Sequence, residues 1–207
     1  MTNRRGPLDA IAITVAAMYF GIASAAAPQT LDVAALDEAL RIARSRRPAD
    51  IDNFSAPYVA VRGGPGQPSV EVITEFRRAV LLAKRQVDQG NHTWSPRNLS
   101  EAVAKYAGLT TVHAEIWLSP LHMFVTTPSY RLDLFTAAHR VVASVDEKRE
   151  GIYSSLTSAE QPTLAGVTLE SSYRAEALKE PGCCLVLIVD PQGETVVKQQ
   201  VGFAGLR

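Results

Sequence analysis

Apolar residues in the first half of the chain recur at three- and four-residue steps, the spacing of one face of an α-helix. This spacing predicts three helices, at about Leu31–Arg46, Ser69–Asp88 and Leu99–Ala107. In the second of these, Phe76 falls in the middle of the apolar stripe and Glu71 falls on the polar face. We therefore predict a helical part over about residues 30–108, with Phe76 buried and Glu71 exposed.

From Thr111 onward the period changes to two, which is typical of β-strands with one buried face. Strands are predicted at Thr111–Leu118, His122–Thr127, Tyr130–Phe135 and Val167–Tyr173, and a final hairpin joins Cys183–Val189 to Thr195–Phe203. The segment Ala137–Val145 fits a helix or a strand equally well. Helices followed by strands indicate an α+β fold. We expect N-terminal helices packed on a largely antiparallel sheet, either single or a β-sandwich, that ends in a C-terminal hairpin; the strand-rich part covers about residues 109–207.

The first 26 residues have the layout of a secretory signal peptide. Arg4 and Arg5 precede an apolar run over Ala10–Ile22, which small residues follow. Because Pro28 disfavours cleavage after Ala27, we place the cut after Ala26, leaving 27–207 as one domain. The protein is then expected to be periplasmic or extracellular, with no membrane contact after cleavage. The alternatives are an N-terminal anchor or buried helix, and a twin-arginine export signal.

The charges of the chain are balanced. Its 207 residues include 21 Lys and Arg and 21 Asp and Glu, so the formal net charge is zero. A general nucleic-acid binder carries a basic excess, so nucleic acid is not an expected partner. The partner class is a protein or a small molecule, and no sequence motif calls for a cofactor.

The two cysteines, Cys183 and Cys184, are adjacent. Strand alternation would point one thiol into the core and the other to the opposite face, and this favours simple packing. An exported protein meets oxidising conditions, so a strained vicinal disulfide with a redox role is the alternative. Metal binding or an intermolecular bond are two further alternatives.

Three residues near the middle of the chain are candidate metal ligands. His113 and Glu115 share one face of a predicted strand, and His122 follows shortly after. Imidazole and carboxylate groups form catalytic zinc sites and acid–base pairs. The more common interpretation of such residues is the polar, solvent-facing half of an amphipathic strand.

Three glycosylation sequons begin at Asn53, Asn91 and Asn98, and Trp94 lies between the last two, in the polar loop Gly90–Arg97. The sequence does not decide whether glycans are attached. Trp94 is either a ligand contact or a lid that folds back over the core.

No catalytic motif such as G-x-S-x-G or a P-loop is present in the sequence. The leading interpretation is therefore an exported, non-enzymatic domain that binds a partner or has a structural role in the envelope. The alternatives are a metal-assisted hydrolase that uses His113, Glu115 and His122, and a thiol-redox protein that uses Cys183 and Cys184.

Overall fold

The structure is a computed structural model that describes residues 31–63, 67–119, 126–154, 163–179, 184–203 and 205–207. These ranges contain four α-helices: α1 (Val33–Ala43), α2 (Pro48–Ser55), α3 (Glu75–Asp88) and α4 (Pro96–Val103). They also contain eight strands: β1 (Val59–Val61), β2 (Ser69–Ile73), β3 (Leu109–Trp117), β4 (Arg131–Phe135), β5 (Asp146–Ser154), β6 (Thr163–Arg174), β7 (Leu185–Val189) and β8 (Thr195–Gln200). The predicted α+β class is confirmed.

The strands form two antiparallel sheets. The larger has the order β1-β2-β3-β6-β5, and the smaller has the order β4-β7-β8. Side chains from one face of each sheet meet in a shared core. From the larger sheet they include Val70, Val72, Val112, Ala114, Val167 and Leu169; from the smaller, Leu132, Leu134, Val186, Ile188 and Val197. The two sheets therefore pack face to face, with these apolar side chains directed inward.

The helices have a second core of their own. It is made by α1, α3 and α4 through buried residues that include Leu36, Leu40, Phe76, Val80 and Leu99. Phe76 is buried as predicted, and its ring centroid lies 5.9 Å from that of Phe54. The helical layer thus has its own hydrophobic contacts and joins the larger sheet directly where β2 leads into α3.

The prediction of a continuous helix over Ser69–Asp88 is wrong in its first part. Residues Ser69–Ile73 form strand β2, and α3 begins only at Glu75. Thr74 is the N-cap, because its side chain accepts a hydrogen bond from the backbone N–H of Arg77. As a consequence Glu71 lies on a sheet, not on an exposed helix face.

The structure also contains elements that the pattern did not predict. Pro48 begins a second helix, α2, at a position where proline is well tolerated. Strand β5 was not predicted, and most of the ambiguous segment Ala137–Val145 is irregular apart from a single bridge between Phe135 and Val141. The third helix begins earlier than predicted, and Ser95 and Asn98 form its capping box.

The remaining strands follow the prediction. β3, β4 and β6 overlap the predicted segments, and β7 and β8 form the C-terminal hairpin around the turn at Asp190–Gly193. Most of the predicted strand His122–Thr127 and the whole predicted signal peptide lie outside the described residues, so both stay predictions. Among the helices that the structure describes, none is long and apolar enough to span a membrane.

Candidate functional site

The face of the larger sheet that points away from the inter-sheet core carries many polar side chains. We call it the outer face. It carries the side chains of Ser69, Glu71 and Ile73 on β2; Thr111, His113, Glu115 and Trp117 on β3; Thr168, Glu170 and Ser172 on β6; and Asp146, Lys148, Glu150 and Ile152 on β5. Cross-strand partners share a face, so the register fixes which of these side chains are neighbours.

His113 lies at the centre of the outer face, between three carboxylates. Its cross-strand partners are Glu71 on β2 and Glu170 on β6. The His113 Nδ1 atom lies 3.2 Å from Glu170 Oε1, within hydrogen-bond reach, and Nε2 lies 3.6 Å from Glu115 Oε1. Only 16% of the His113 side chain is exposed, so the ring is fixed in a largely buried position.

The surroundings of His113 favour its charged form. Burial alone would lower the pKa of His113, but the hydrogen bond with Glu170 and the negative charges of Glu71, Glu170 and Glu115 outweigh it, and the pKa is raised. The same hydrogen bond lowers the pKa of Glu170 against the opposing effect of its burial. The ring and the carboxylate therefore each favour the charged form of the other across two strands.

The helical layer covers one end of the outer face. Arg78 of α3 donates a hydrogen bond from Nη2 to Thr111 Oγ1 over 2.7 Å, and its guanidinium stacks 4.1 Å from the ring centroid of Tyr106. Thr111 Oγ1 also lies 2.9 Å from Ser172 Oγ. Thr111 is only 1% exposed, so its hydroxyl is shielded from solvent, whereas Asp146 on β5 at the same end of the face is exposed.

A buried arginine lies at the boundary between the helices and the sheet. Arg77 is 3% exposed, donates from Nη1 to the Val72 carbonyl oxygen over 2.7 Å, and forms an ion pair with Glu71. Its guanidinium also stacks 4.9 Å from the ring centroid of Tyr58, while its Nε has no partner among the described residues. Sequence reasoning missed this pair because it placed Glu71 on a helix; the alternation of Ser69–Ile73 was the signal that could have revealed it.

The opposite end of the outer face is exposed to solvent. We call it the open end, and it consists of Glu115, Trp117, Glu150, Ile152 and Thr168. Trp117 is 41% exposed and Glu115 is 42% exposed. Glu115 and Glu150 face the same Thr168 from its two neighbouring strands, so their Cα atoms are about 10 Å apart.

A small cavity of about 130 Å³ lies beside the open end. Its lining residues are Lys148, Glu150, Thr168 and Glu170. Glu170 is engaged by His113, whereas Glu150 has no ion-pair or hydrogen-bond partner within the described ranges. The cavity can therefore hold one small polar group beside the carboxylate of Glu150 and the ammonium of Lys148.

The predicted metal-ligand set is only partly located. His113 and Glu115 are close together, as their alternation implied, but His122 lies outside the described residues. Among the residues that are described, no group of three His, Cys, Asp or Glu side chains is arranged to hold a metal ion. Glu170 and Glu71, which sequence reasoning did not single out, are the residues that surround His113 instead.

The predicted redox site is also only half described. Cys184 is 1% exposed, and its backbone N–H and carbonyl both pair with Val201, at 2.6 and 2.7 Å. The structure holds it as a disulfide-bonded cysteine rather than a free thiol. Cys183 lies outside the described residues, so the partner in that bond is not described, and whether the bond is vicinal or intermolecular stays a prediction.

Trp94 belongs to the helical layer. It packs, partly buried, against the helical core, and its carbonyl oxygen accepts a hydrogen bond from Arg44 over 2.6 Å. These contacts hold the polar loop onto α1. They do not test the prediction that Trp94 contacts a ligand.

Comparison of the chain with protein-family models, with curated proteins and with solved structures finds no match. The candidate site is therefore interpreted from its own geometry.

Proposed function

We propose that this chain is an exported binding domain, and that the open end of the outer face binds a partner that presents a basic side chain or an amine. The observation that carries the proposal is the pair of carboxylates Glu115 and Glu150, which face each other across Thr168 beside the exposed ring of Trp117. Glu150 has no partner among the described residues, and the only partner of Glu115 is His113 Nε2, at 3.6 Å.

Charge complementarity supports this choice of partner. The carboxylates deeper in the face are already compensated: Glu71 by Arg77, and Glu170 by His113. At the open end Glu150 has no described partner and Glu115 has only the 3.6 Å contact with His113. A positive group therefore gains from docking there while a negative one is repelled. An exposed tryptophan adds a surface on which an ammonium or guanidinium group can stack.

The two alternative functions gain no specific support. The metal-assisted hydrolase needs a third ligand beside His113 and Glu115, and no described residue supplies it. For thiol-redox exchange a partner must reach the sulfur, and Cys184 is 1% exposed.

The proposal is tested by measuring the affinity of the mature protein for a fluorescently labelled hexalysine peptide and for hexaglutamate. We expect hexalysine alone to bind. Substituting Glu115→Gln or Glu150→Gln should weaken that binding by about three- to tenfold, because each change removes one of the two carboxylate charges. A tenfold change in affinity corresponds to about 1.4 kcal/mol. The control is Glu101→Gln, which removes an exposed carboxylate of α4. Equal losses in all three variants, or equal binding of both peptides, would contradict the proposal.

A further inference from the structure

The last described residues connect the two cores of the protein. Phe203 and Leu206 pack, partly buried, against the core between the sheets. Arg207 instead reaches the helical layer, where Nη2 and Nη1 lie 2.9 and 3.3 Å from the two carboxylate oxygens of Glu38 on α1. Its guanidinium also lies 4.7 Å from the ring centroid of Phe76 on α3. We call Gly205–Arg207 the strap.

The backbone of the strap is held at the start of α3. The main-chain oxygen of Arg207 accepts hydrogen bonds from Thr74 Oγ1 and, over 3.3 Å, from Tyr58 Oη. Thr74 is also the N-cap of α3, and its Oγ1 accepts from the backbone N–H of Arg77 over 3.2 Å. One hydroxyl therefore joins the strap to the first turn of the helix.

A continuous set of contacts leads from the strap to the outer face. Arg77, whose backbone is capped by Thr74, forms the buried ion pair with Glu71. Glu71 in turn is the cross-strand neighbour of His113. The ion pair between Arg207 and Glu38 is solvent-accessible, with the two side chains 61% and 33% exposed, so this contact of the strap with α1 can open while the helical core stays packed.

We propose that the strap is a releasable latch that fixes the first turn of α3 and thereby sets the electrostatic environment of His113. When the strap detaches, Thr74 loses one of its two partners, the first turn of α3 loosens, and Arg77 neutralises Glu71 less completely. Glu71 then acts more strongly on His113, alongside the other two carboxylates that act on the ring, Glu115 and Glu170. Arg78 and Lys148 in turn act on Glu170. This inference does not depend on what the open end binds.

The test combines hydrogen exchange with an NMR titration of the His113 ring in the Arg207→Gln variant. We expect the Arg77 and Arg78 amides to exchange at least about tenfold faster than in the wild type, because their protection depends on the first turn of α3. The titration midpoint of His113 should rise by a few tenths of a pH unit, because Glu71 is less neutralised.

Two further variants make the test decisive. Glu38→Gln removes the partner of Arg207 while Arg207 itself stays in place. It should give the same faster exchange of the Arg77 and Arg78 amides and the same rise in the His113 titration midpoint. Arg97→Gln breaks the exposed pair of Arg97 with Glu101 and should give neither. The proposal is wrong if Arg207→Gln and Glu38→Gln lower the melting temperature but match Arg97→Gln in the titration midpoint of His113 and in the exchange rates of the α3 amides. In that case the strap is not coupled to the outer face.

Discussion

Substituting Glu71→Gln should destabilise the protein far more than an ordinary change of a surface carboxylate. Glu71 is the only described acidic partner of Arg77, whose side chain is 4% exposed, while the Glu71 side chain is 28% exposed. Leaving a fully buried ion without its partner costs about 3–5 kcal/mol. Glutamine keeps one acceptor oxygen and water reaches the site, so we expect a loss of about 2 kcal/mol. For a chain of this size, that loss lowers the melting temperature by about 4–8 °C.

The measurement is urea unfolding followed by circular dichroism, with Glu101→Gln as the matched control. Glu101 and its partner Arg97 are 64% and 88% exposed, so that substitution should cost less than about 0.5 kcal/mol. A second check is the same Glu71→Gln change in an Arg77→Met background. There no buried cation is left unpaired, so the loss should largely disappear. Equal losses for Glu71→Gln and Glu101→Gln would refute the buried-pair reasoning.

Three further outcomes are expected. Phe76→Ala should cost about 3–5 kcal/mol in the same unfolding assay, because Phe76 is 3% exposed in the helical core, whereas Leu81→Ala on the 39%-exposed side of α3 should cost under about 1 kcal/mol. NMR should show His113 titrating above its ordinary value of about 6.5, and Glu170→Gln should lower that midpoint. The raised pKa of His113 means that folding favours the protonated ring. The stability that this residue contributes is therefore full below pH of about 6.5 and is lost as the pH rises through the folded-state pKa. Stability that is lost as the pH falls through this range would contradict the assignment. Thiol titration of the denatured, unreduced protein should find no free thiol, and two after reduction, because Cys184 is disulfide-bonded; two thiols before reduction would support separate packing instead.

The alternation of β3 was sufficient to predict one row of the candidate site. His113, Glu115 and Trp117 share a face because strand geometry alone places alternate residues on the same side. The partners of His113 could not be predicted in the same way. Glu170 lies in a predicted strand, but the register that brings it to His113 depends on long-range pairing that a periodic pattern does not encode.

The misassignment of Ser69–Ile73 has a physical origin. Val70, Ile73 and Phe76 follow one another at helical spacing, so in the sequence the apolar stripe of α3 continues back through the strand. Two competing signals were present: Val70 and Val72 alternate with polar neighbours, and Thr74 is a good N-cap. They indicate a strand that runs directly into a helix.

The sequence pattern did not predict strand β5, and the reason is a different one. It lies at the edge of the larger sheet, and its first five residues, Asp146–Glu150, are all charged and exposed. An edge strand with charges on both faces has no apolar alternation to detect, and such charges also discourage pairing with other chains. Lys148 and Glu150, which line the small cavity, were therefore not recognisable as part of the site.

The central claim is that the open end of the outer face is a binding surface for positively charged groups. It is tested most directly by titrating the isotope-labelled mature protein with hexalysine and following its amide and tryptophan side-chain NMR signals. The account predicts that the largest shifts map to Glu115, Trp117, Glu150 and Thr168, with the Trp117 indole signal among them and the Trp94 indole signal unchanged. Shifts that cluster elsewhere, or the absence of saturable shifts at these four residues, would contradict it.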